Sequence, residues 1–208
     1  MKIEPCEFCD EFRSGHFGLY GIEKRILFQD DNFVVFPGLG QLVEGYCLIA
    51  PREHYLSMGA LPETLHASLE VVLLKVSVAL ATHYTAPLVF EHGSASCTHR
   101  GASCIDHAHF HCMPVQVDII ADLEARFPCR LIHSLSDLKD QYTAGKPYFF
   151  VQDQKGVRYI FEVPNTVPSQ YIRRLIAEKL GKPDKWDWGV FHGSEGMQRS
   201  ITKLKNLF

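Results

Sequence analysis

Residues 106–114 read Asp-His-Ala-His-Phe-His-Cys-Met-Pro. Its histidines, His107, His109 and His111, stand two residues apart. Because alternate side chains of a strand share a face, this spacing predicts a row of three imidazoles, with the intervening residues turned into a core. Neutral imidazoles at physiological pH can bind a metal, attack as a nucleophile or transfer protons. The alternative is a plain strand of hydrogen-bonded histidines without chemistry.

The composition is that of an ordinary globular protein. The chain has 208 residues, of which 46% are hydrophobic and 22% charged, and its formal net charge is -3. It is long enough to bury a substantial core. Without an excess or stripe of Lys and Arg, no binding to a nucleic-acid backbone is expected.

The apolar runs, the N-terminal residues and the cysteines predict the cellular compartment. No uninterrupted apolar run reaches about 18 residues, so no membrane segment is expected. Residues 1–5, Met-Lys-Ile-Glu-Pro, lack the apolar core of a signal peptide. With seven cysteines, an odd number, the chain is expected to be cytoplasmic with reduced thiols.

Near the N-terminus, Cys6 and Cys9 form a Cys-x-x-Cys pair. Two thiolates at this spacing can hold one tetrahedral metal ion, usually zinc. A redox pair would need a strand before it and a helix after it, which is unexpected so near the N-terminus. A coincidental pair remains the third option.

Hydrophobic patterns predict elements along the whole chain. Strands are expected at 25–29, 33–36, 46–50 and 88–93, and a long amphipathic helix from about 61 to 84 that packs on the sheet. After residue 114 the patterns predict short helices at 117–125 and 135–142, a hairpin from 147–152 to 157–163, and helices at 169–180 and from about 194.

Other candidate site residues lie between these elements. His54 directly follows a predicted strand, and Cys6, Cys9, His54 and His107 can form a Cys2His2 metal site that leaves His109 free. The loop at 94–106 contains Ser, Gly and Cys residues together with His99 and Arg100. Such a loop can present backbone N–H groups to a phosphate, or it is a plain hairpin loop.

The order of these motifs resembles the histidine triad (HIT) superfamily. The resemblance covers about residues 5–115 and rests on Cys-x-x-Cys, Pro-Arg-Glu-His at 51–54, Glu-His-Gly at 91–93 and His-Ala-His-Phe-His at 107–111. The superfamily includes nucleoside phosphoramidate hydrolases, diadenosine polyphosphate hydrolases and galactose-phosphate uridylyltransferases. The resemblance implies an α+β fold, with a HIT-like antiparallel sheet and a long packed helix in a catalytic domain at 1–116. An α+β C-terminal extension at 117–208 is expected to pack on it.

The resemblance also implies roles. His109 would be the nucleophile that forms a nucleotidyl-histidine intermediate, and His111 would contact the phosphate. Ser103 and Cys104 would bind the phosphate. Independently of the resemblance, the negative charge of a phosphate makes His99 or Arg100 of the same loop a candidate source of positive charge. Structural zinc would be held by Cys6, Cys9, His54 and His107. The substrate would be a small nucleotide conjugate, and a homodimer is an option because family members are often dimers.

Two departures from the family pattern leave the reaction open. Small hydrolases of the family usually carry Asn-x-Gly where this chain has Glu91-His92-Gly93, and often Gln-Ser where it has Ser103-Cys104. Glu91 is therefore expected to contact a ribose or a leaving group, or to be structural. Hydrolysis and nucleotidyl transfer both remain open.

Two other functions are compatible with the same motifs. One rival is a zinc hydrolase whose three triad histidines all bind the metal. The other is a zinc-stabilised nucleotide-binding or adaptor protein without turnover. Phe28, Phe33 and Phe36 are candidates for an apolar slot for a base, although core positions are expected for at least two of them.

Overall fold

The computed structural model describes residues 6–96, 103 and 105–208. Its strands are β1 (Phe28–Gln29), β2 (Phe33–Pro37), β3 (Cys47–Pro51), β4 (Leu88–Gly93), β5 (Phe110–Met113), β6 (Cys129–Ile132), β7 (Tyr148–Gln152) and β8 (Arg158–Glu162). Its α-helices are α1 (Glu7–Ser14), α2 (His66–His83), α3 (Ile120–Glu124), α4 (Leu138–Thr143), α5 (Tyr171–Lys179) and α6 (Ser194–Leu204).

All eight strands form one antiparallel sheet in the order β1-β2-β3-β5-β4-β7-β8-β6. The architecture is therefore α+β, as the sequence predicts. The triad strand β5 lies inside the sheet between β3 and β4, where His111 is paired with Leu48 on one side and Phe90 on the other. Both neighbours hold the strand in place, so its side chains have defined positions.

The sheet has a core on each face. One face, here called the α2 face, carries Ala108, Phe110 and Cys112 against α2. The other, here called the triad face, carries Phe90 and Met113 and is covered by α1 and α5. The alternation predicted along the triad is thus confirmed by the placement of Ala108, Phe110 and Cys112, although regular strand pairing begins only at Phe110.

The long helix predicted at 61–84 forms as α2, after a 3₁₀ turn at Glu63–Leu65. The segment Glu63–His83 has the length and composition of a membrane-spanning helix. It contains an 18-residue window with a mean hydropathy of 1.6, of which 39% is buried. This corrects the expectation that no such segment exists, because Glu70 and Lys75 interrupt the apolar run without lowering its mean hydropathy enough. Its buried side packs on the sheet, and Arg158 of β8 donates two 2.6 Å hydrogen bonds to Glu70. These contacts fit the core helix of a folded domain.

The C-terminal part continues the sheet of the N-terminal part. Strand β7 pairs with β4 over five residue pairs, and β8 and β6 extend the sheet further. The predicted hairpin at 147–163 and the helix at 169–180 correspond to β7–β8 and α5. The two parts predicted on either side of residue 116 therefore share one sheet. The sequence reading missed α1 and β6.

Candidate metal centre and active site

Four side chains form a compact cluster at one end of the triad. The sulfurs of Cys6 and Cys9 and one ring nitrogen each of His54 and His107 all lie within 4.8 Å of one another. Cys6 Sγ lies 3.4 Å from His107 Nδ1, and Cys9 Sγ lies 3.5 Å from His54 Nδ1 and 3.6 Å from His107 Nδ1. The structure brings together all four residues predicted as metal ligands. Two thiols and two imidazoles are a donor set that can hold a metal ion.

Local structure aims these donors at one another. Cys6 precedes the first residue of α1 and Cys9 lies in its first turn, so the two thiols occupy one end of the helix. His107 Nε2 lies 2.8 Å from the carbonyl oxygen of Pro51, at the end of β3. An Nε2–H that donates to this carbonyl leaves the Nδ1 lone pair directed at the cluster, as in many protein metal sites.

His109 is held as a neutral imidazole in a buried position. Its Nδ1 lies 2.7 Å from the carbonyl oxygen of His107, and its side chain is 7% exposed. Burial lowers the pKa of His109 to about 4, against the opposing effect of that hydrogen bond. An Nδ1–H donated to His107 leaves Nε2 as the nitrogen with a free lone pair.

His111 is fixed by aromatic neighbours on both sides. Its ring is stacked on Phe90 at 4.4 Å, and the Tyr46 hydroxyl lies 2.6 Å from its Nδ1. The rings of His109 and His111 are 4.6 Å apart. Burial, together with the positive charges of neighbouring groups, keeps the pKa of His111 well below its usual range. The sequence reading missed Tyr46, which is embedded in an apolar strand pattern.

A cavity of about 350 Å³ opens beside His109 and His111. Most of its exposed lining is apolar, and it lies between α1 and the segment that contains Trp188. Its apolar walls are formed by Phe8, Phe17, Leu19, Leu39, Leu48, Ile105 and Trp188. The two ends of the chain therefore build the space next to the triad.

In strand β4, His92 faces the triad and Glu91 faces away from it. Glu91 points to the α2 face, where its carboxylate accepts hydrogen bonds from the Met58 N–H at 2.6 Å and the Tyr148 hydroxyl at 2.7 Å. Of the two roles predicted for Glu91, contact with a ribose or a leaving group does not fit, because Glu91 and the cavity lie on opposite faces of the sheet. The two hydrogen bonds to Glu91 fit the structural alternative. Its neighbour His92 lies on the triad face, edge-on to His111 at 5.7 Å.

The predicted phosphate contacts have different outcomes. Ser103 is half-buried, and its hydroxyl donates at 2.9 Å to the carbonyl of Ile105, a residue that lines the cavity. The phosphate role of Ser103 stays a prediction. Arg100 and Cys104 lie outside the described residues.

The predicted aromatic slot is not at the cavity. Phe33 is fully buried on the α2 face, and Phe36 is fully buried on the triad face. Phe28 packs on the α2 face against Lys75 and Phe208. The alternative prediction, core positions for at least two of the three, is confirmed.

A buried ion pair supports α1 over the triad. Arg25 Nε donates to Glu11 Oε1 at 2.9 Å and Nη2 donates to Oε2 at 2.6 Å, while Nη1 donates to the Pro37 carbonyl at 2.9 Å. The Arg25 guanidinium also lies 4.1 Å from the centroid of the Phe17 ring. The pair ties the helix that carries Cys9 to the end of β2.

Comparisons with known proteins find similar solved structures. No family model matches the chain, and no curated protein matches it. A HIT-like protein involved in cell-cycle regulation from Bartonella henselae has 14% identity and a TM-score of 0.45, covering 70% of this chain and 99% of that one. A HIT family protein from Bacillus anthracis has 19% identity and a TM-score of 0.43, covering 55% and 76%. A zinc-bound histidine triad family protein from Mycobacterium smegmatis has 16% identity and a TM-score of 0.42, covering 67% and 91%.

Proposed function

We propose that this chain is a histidine triad enzyme that hydrolyses or transfers a nucleotidyl group at the α-phosphate of a nucleotide conjugate. The observation that carries the proposal is the protonation and hydrogen bonding of the His109 imidazole. It is a neutral imidazole on the wall of a cavity, and a 2.7 Å contact of Nδ1 with a carbonyl oxygen leaves Nε2 to act as a nucleophile. A binding module has no need of such an imidazole.

The proposed reaction has two displacements at phosphorus. In the first, the Nε2 lone pair of His109 forms a bond to the α-phosphorus, and the bond from phosphorus to the leaving nitrogen or oxygen breaks. The leaving group takes up a proton, and the nucleotidyl group stays on His109. In the second, the oxygen of water or of an acceptor bonds to phosphorus while the P–Nε2 bond breaks. The attacking oxygen loses its proton, which balances the proton taken up in the first step.

His111 is proposed to assist at the phosphate. A Tyr46 hydroxyl that donates to Nδ1, 2.6 Å away, places the His111 proton on Nε2. That N–H would then donate to a phosphoryl oxygen as negative charge develops there. Stacking of His111 on Phe90 holds the ring in one orientation, so the donor would be positioned before the substrate binds.

We further propose that the metal is zinc and that its role is structural. Zinc bonds of about 2.3 Å to sulfur and about 2.0–2.1 Å to nitrogen place the two donors about 3.6 Å apart in a tetrahedron. Three of the four sulfur-to-nitrogen distances, at 3.4–3.6 Å, match this value. With all four positions filled by Cys6, Cys9, His54 and His107, zinc would tie α1 to the end of β3.

The geometry does not favour the rival in which all three triad histidines bind one metal. The metal cluster found among the described residues includes His107 but not His109 or His111. The Nδ1 atoms of the latter two are occupied by the His107 carbonyl and the Tyr46 hydroxyl. This division of roles among the three histidines is what a nucleophile beside a structural metal requires.

The test is His109→Asn, measured with a fluorogenic nucleoside phosphoramidate and a dinucleoside polyphosphate. We expect unchanged zinc content and a loss of turnover on the order of a thousandfold or more. His83→Asn, at an exposed position on the end of α2, is the matched control and should keep both. Loss of zinc in the His109 variant would support the metal-triad rival. Absence of turnover by the unsubstituted protein with both substrates would support a binding protein.

A further inference from the structure

The C-terminal half contributes a buried arginine, Arg173, that lies beside Tyr46, the residue whose hydroxyl contacts His111. Arg173, in the first turn of α5, is 1% exposed, and its guanidinium carbon lies 5.4 Å from the centroid of the Tyr46 ring. Its Nη2 donates to the Gly40 carbonyl at 2.9 Å and its Nε to the Trp186 carbonyl at 3.0 Å. The guanidinium is therefore packed beside the tyrosine that contacts His111.

Its charge is not matched by a carboxylate. Arg173 forms no ion pair among the described residues, and its buried Nη1 has no hydrogen-bond partner there. Asp187, which follows the Trp186 carbonyl that Arg173 contacts, accepts hydrogen bonds from Gln170 and from the Gly189 N–H. Arginine remains protonated when buried, so a positive charge is held in the protein interior.

Arg25 shows what a balanced buried arginine looks like in the same protein. It is 4% exposed, and all three of its nitrogens donate to Glu11 or to the Pro37 carbonyl. Buried charges are normally paired in this way because desolvation is costly. Arg173 departs from this pattern and is therefore a candidate for a charge that is balanced by a ligand.

The helix that carries Arg173 adds to the positive potential. Positive side chains are unfavourable in the first turn of a helix, where backbone N–H groups already supply partial positive charge. The first turn of α5 contains no acidic residue. The Ile172 N–H donates to His92 Nε2 at 3.3 Å, and His92 lies edge-on to His111 at 5.7 Å. The N-terminal end of α5, which carries partial positive charge, therefore contacts His92, the neighbour of His111.

We propose that Arg173 and the N-terminal end of α5 form an electropositive support that stabilises an anionic phosphoryl group bound at His109 and His111. This inference rests on the proposed function and specifies its substrate as an anion at the position of the phosphate. Arg173 acts through the electrostatic field and by supporting Tyr46, as a positioning residue. The C-terminal half thereby contributes to recognition of the phosphate.

The experiment compares binding of charged and neutral ligands by calorimetry. The probes are the four nucleoside monophosphates AMP, GMP, CMP and UMP and their uncharged nucleosides. Arg173→Met removes the charge, and Arg173→Lys keeps it. Arg174→Met is the matched control, because it removes an equal charge from the same helix turn at a residue whose guanidinium lies over Trp186 instead. If Arg173→Met does not fold, Arg173→Gln replaces it, since its amide can still donate to a backbone carbonyl.

We expect Arg173→Met to weaken monophosphate binding on the order of tenfold or more while nucleoside binding stays unchanged. Arg173→Lys should recover part of the loss, and Arg174→Met should bind like the unsubstituted protein. Equal losses for monophosphates and nucleosides would overturn the inference, because they would indicate a purely structural role. Unchanged monophosphate binding in Arg173→Met, or an equal loss in Arg174→Met, would overturn it as well. If the unsubstituted protein neither binds monophosphates nor turns over the conjugates, the proposed function itself fails.

Discussion

Replacing Glu91 by glutamine should change the pH dependence of stability in a defined direction. Burial raises the pKa of Glu91 to about 7 from the ordinary value of 4.5, although hydrogen bonds from the Met58 N–H and the Tyr148 hydroxyl oppose the shift. The carboxyl is only 2% exposed, so little screening by water is expected. The difference between the two pKa values corresponds to about 3 kcal/mol.

The direction of the change in stability with pH follows from the number of protons bound in the folded and unfolded states. Between about pH 4.5 and 7 the unfolded chain has lost the Glu91 proton while the folded protein retains it, so the free energy of unfolding falls as pH rises. The contribution is fully present below about pH 4.5 and is lost once the pH exceeds about 7. The amide introduced by Glu91→Gln cannot titrate, so the stability of this variant relative to the unsubstituted protein should rise by about 3 kcal/mol across this interval.

The assay is urea unfolding of both proteins from about pH 5 to about pH 8, at the same zinc concentration. Any effect of pH on the proposed metal centre would be the same in both proteins and would cancel in the difference, because Glu91 lies on the opposite face of the sheet. Glu63→Gln, at an exposed position, measures the effect of losing one negative charge. A stability difference that stays constant with pH would refute the reasoning, since it would mean that burial does not favour the protonated carboxyl.

Two further predictions concern the metal ligands and the buried ion pair. Cys9→Ser should lower bound zinc, measured by mass spectrometry, and destabilise the fold by several kcal/mol, because the proposed zinc would tie α1 to the sheet; full zinc occupancy in this variant would argue against the Cys2His2 site. Glu11→Gln should lower the free energy of unfolding by about 3–5 kcal/mol, because it leaves the Arg25 charge buried without its partner. The double substitution Glu11→Gln with Arg25→Met should recover much of the loss in chemical denaturation, and additive losses would contradict this explanation.

The sequence predicted the triad region well because spacing there carries the information. A period of two placed Ala108, Phe110 and Cys112 in one core, and the Cys-x-x-Cys pair predicted the partners of His54 and His107. Such predictions need only local geometry and the donor chemistry of metals. They do not need the packing of distant elements.

The strand β4 was predicted with its correct bounds, but the sequence could not show which of its residues faces the triad. All six residues from Leu88 to Gly93 are buried, so no alternation between polar and apolar residues marks the two faces. Which of Glu91 and His92 faces the triad is set by the pairing of Phe90 with His111. That register depends on contacts between strands, so the local sequence pattern does not determine it.

The sequence also did not predict that Arg173 is buried beside the site or that strand β6 forms. Arg173 lies within an amphipathic helix pattern in which charged residues are normally solvated. Its burial depends on Gly40 and Trp186, which are distant in the chain. Strand β6 has three exposed residues among its four and therefore shows no core pattern.

The cavity between the two chain ends has a consequence for biosynthesis. Ribosomes make the chain from its N-terminus, so the proposed metal ligands and the triad are all synthesised before residue 116. Arg173 and Trp188 emerge later, and Trp188 completes the wall opposite α1. The proposed metal ligands are therefore present in a nascent chain before the residues that complete the cavity. The cavity beside His109 has all of its walls only after Trp188 has been synthesised.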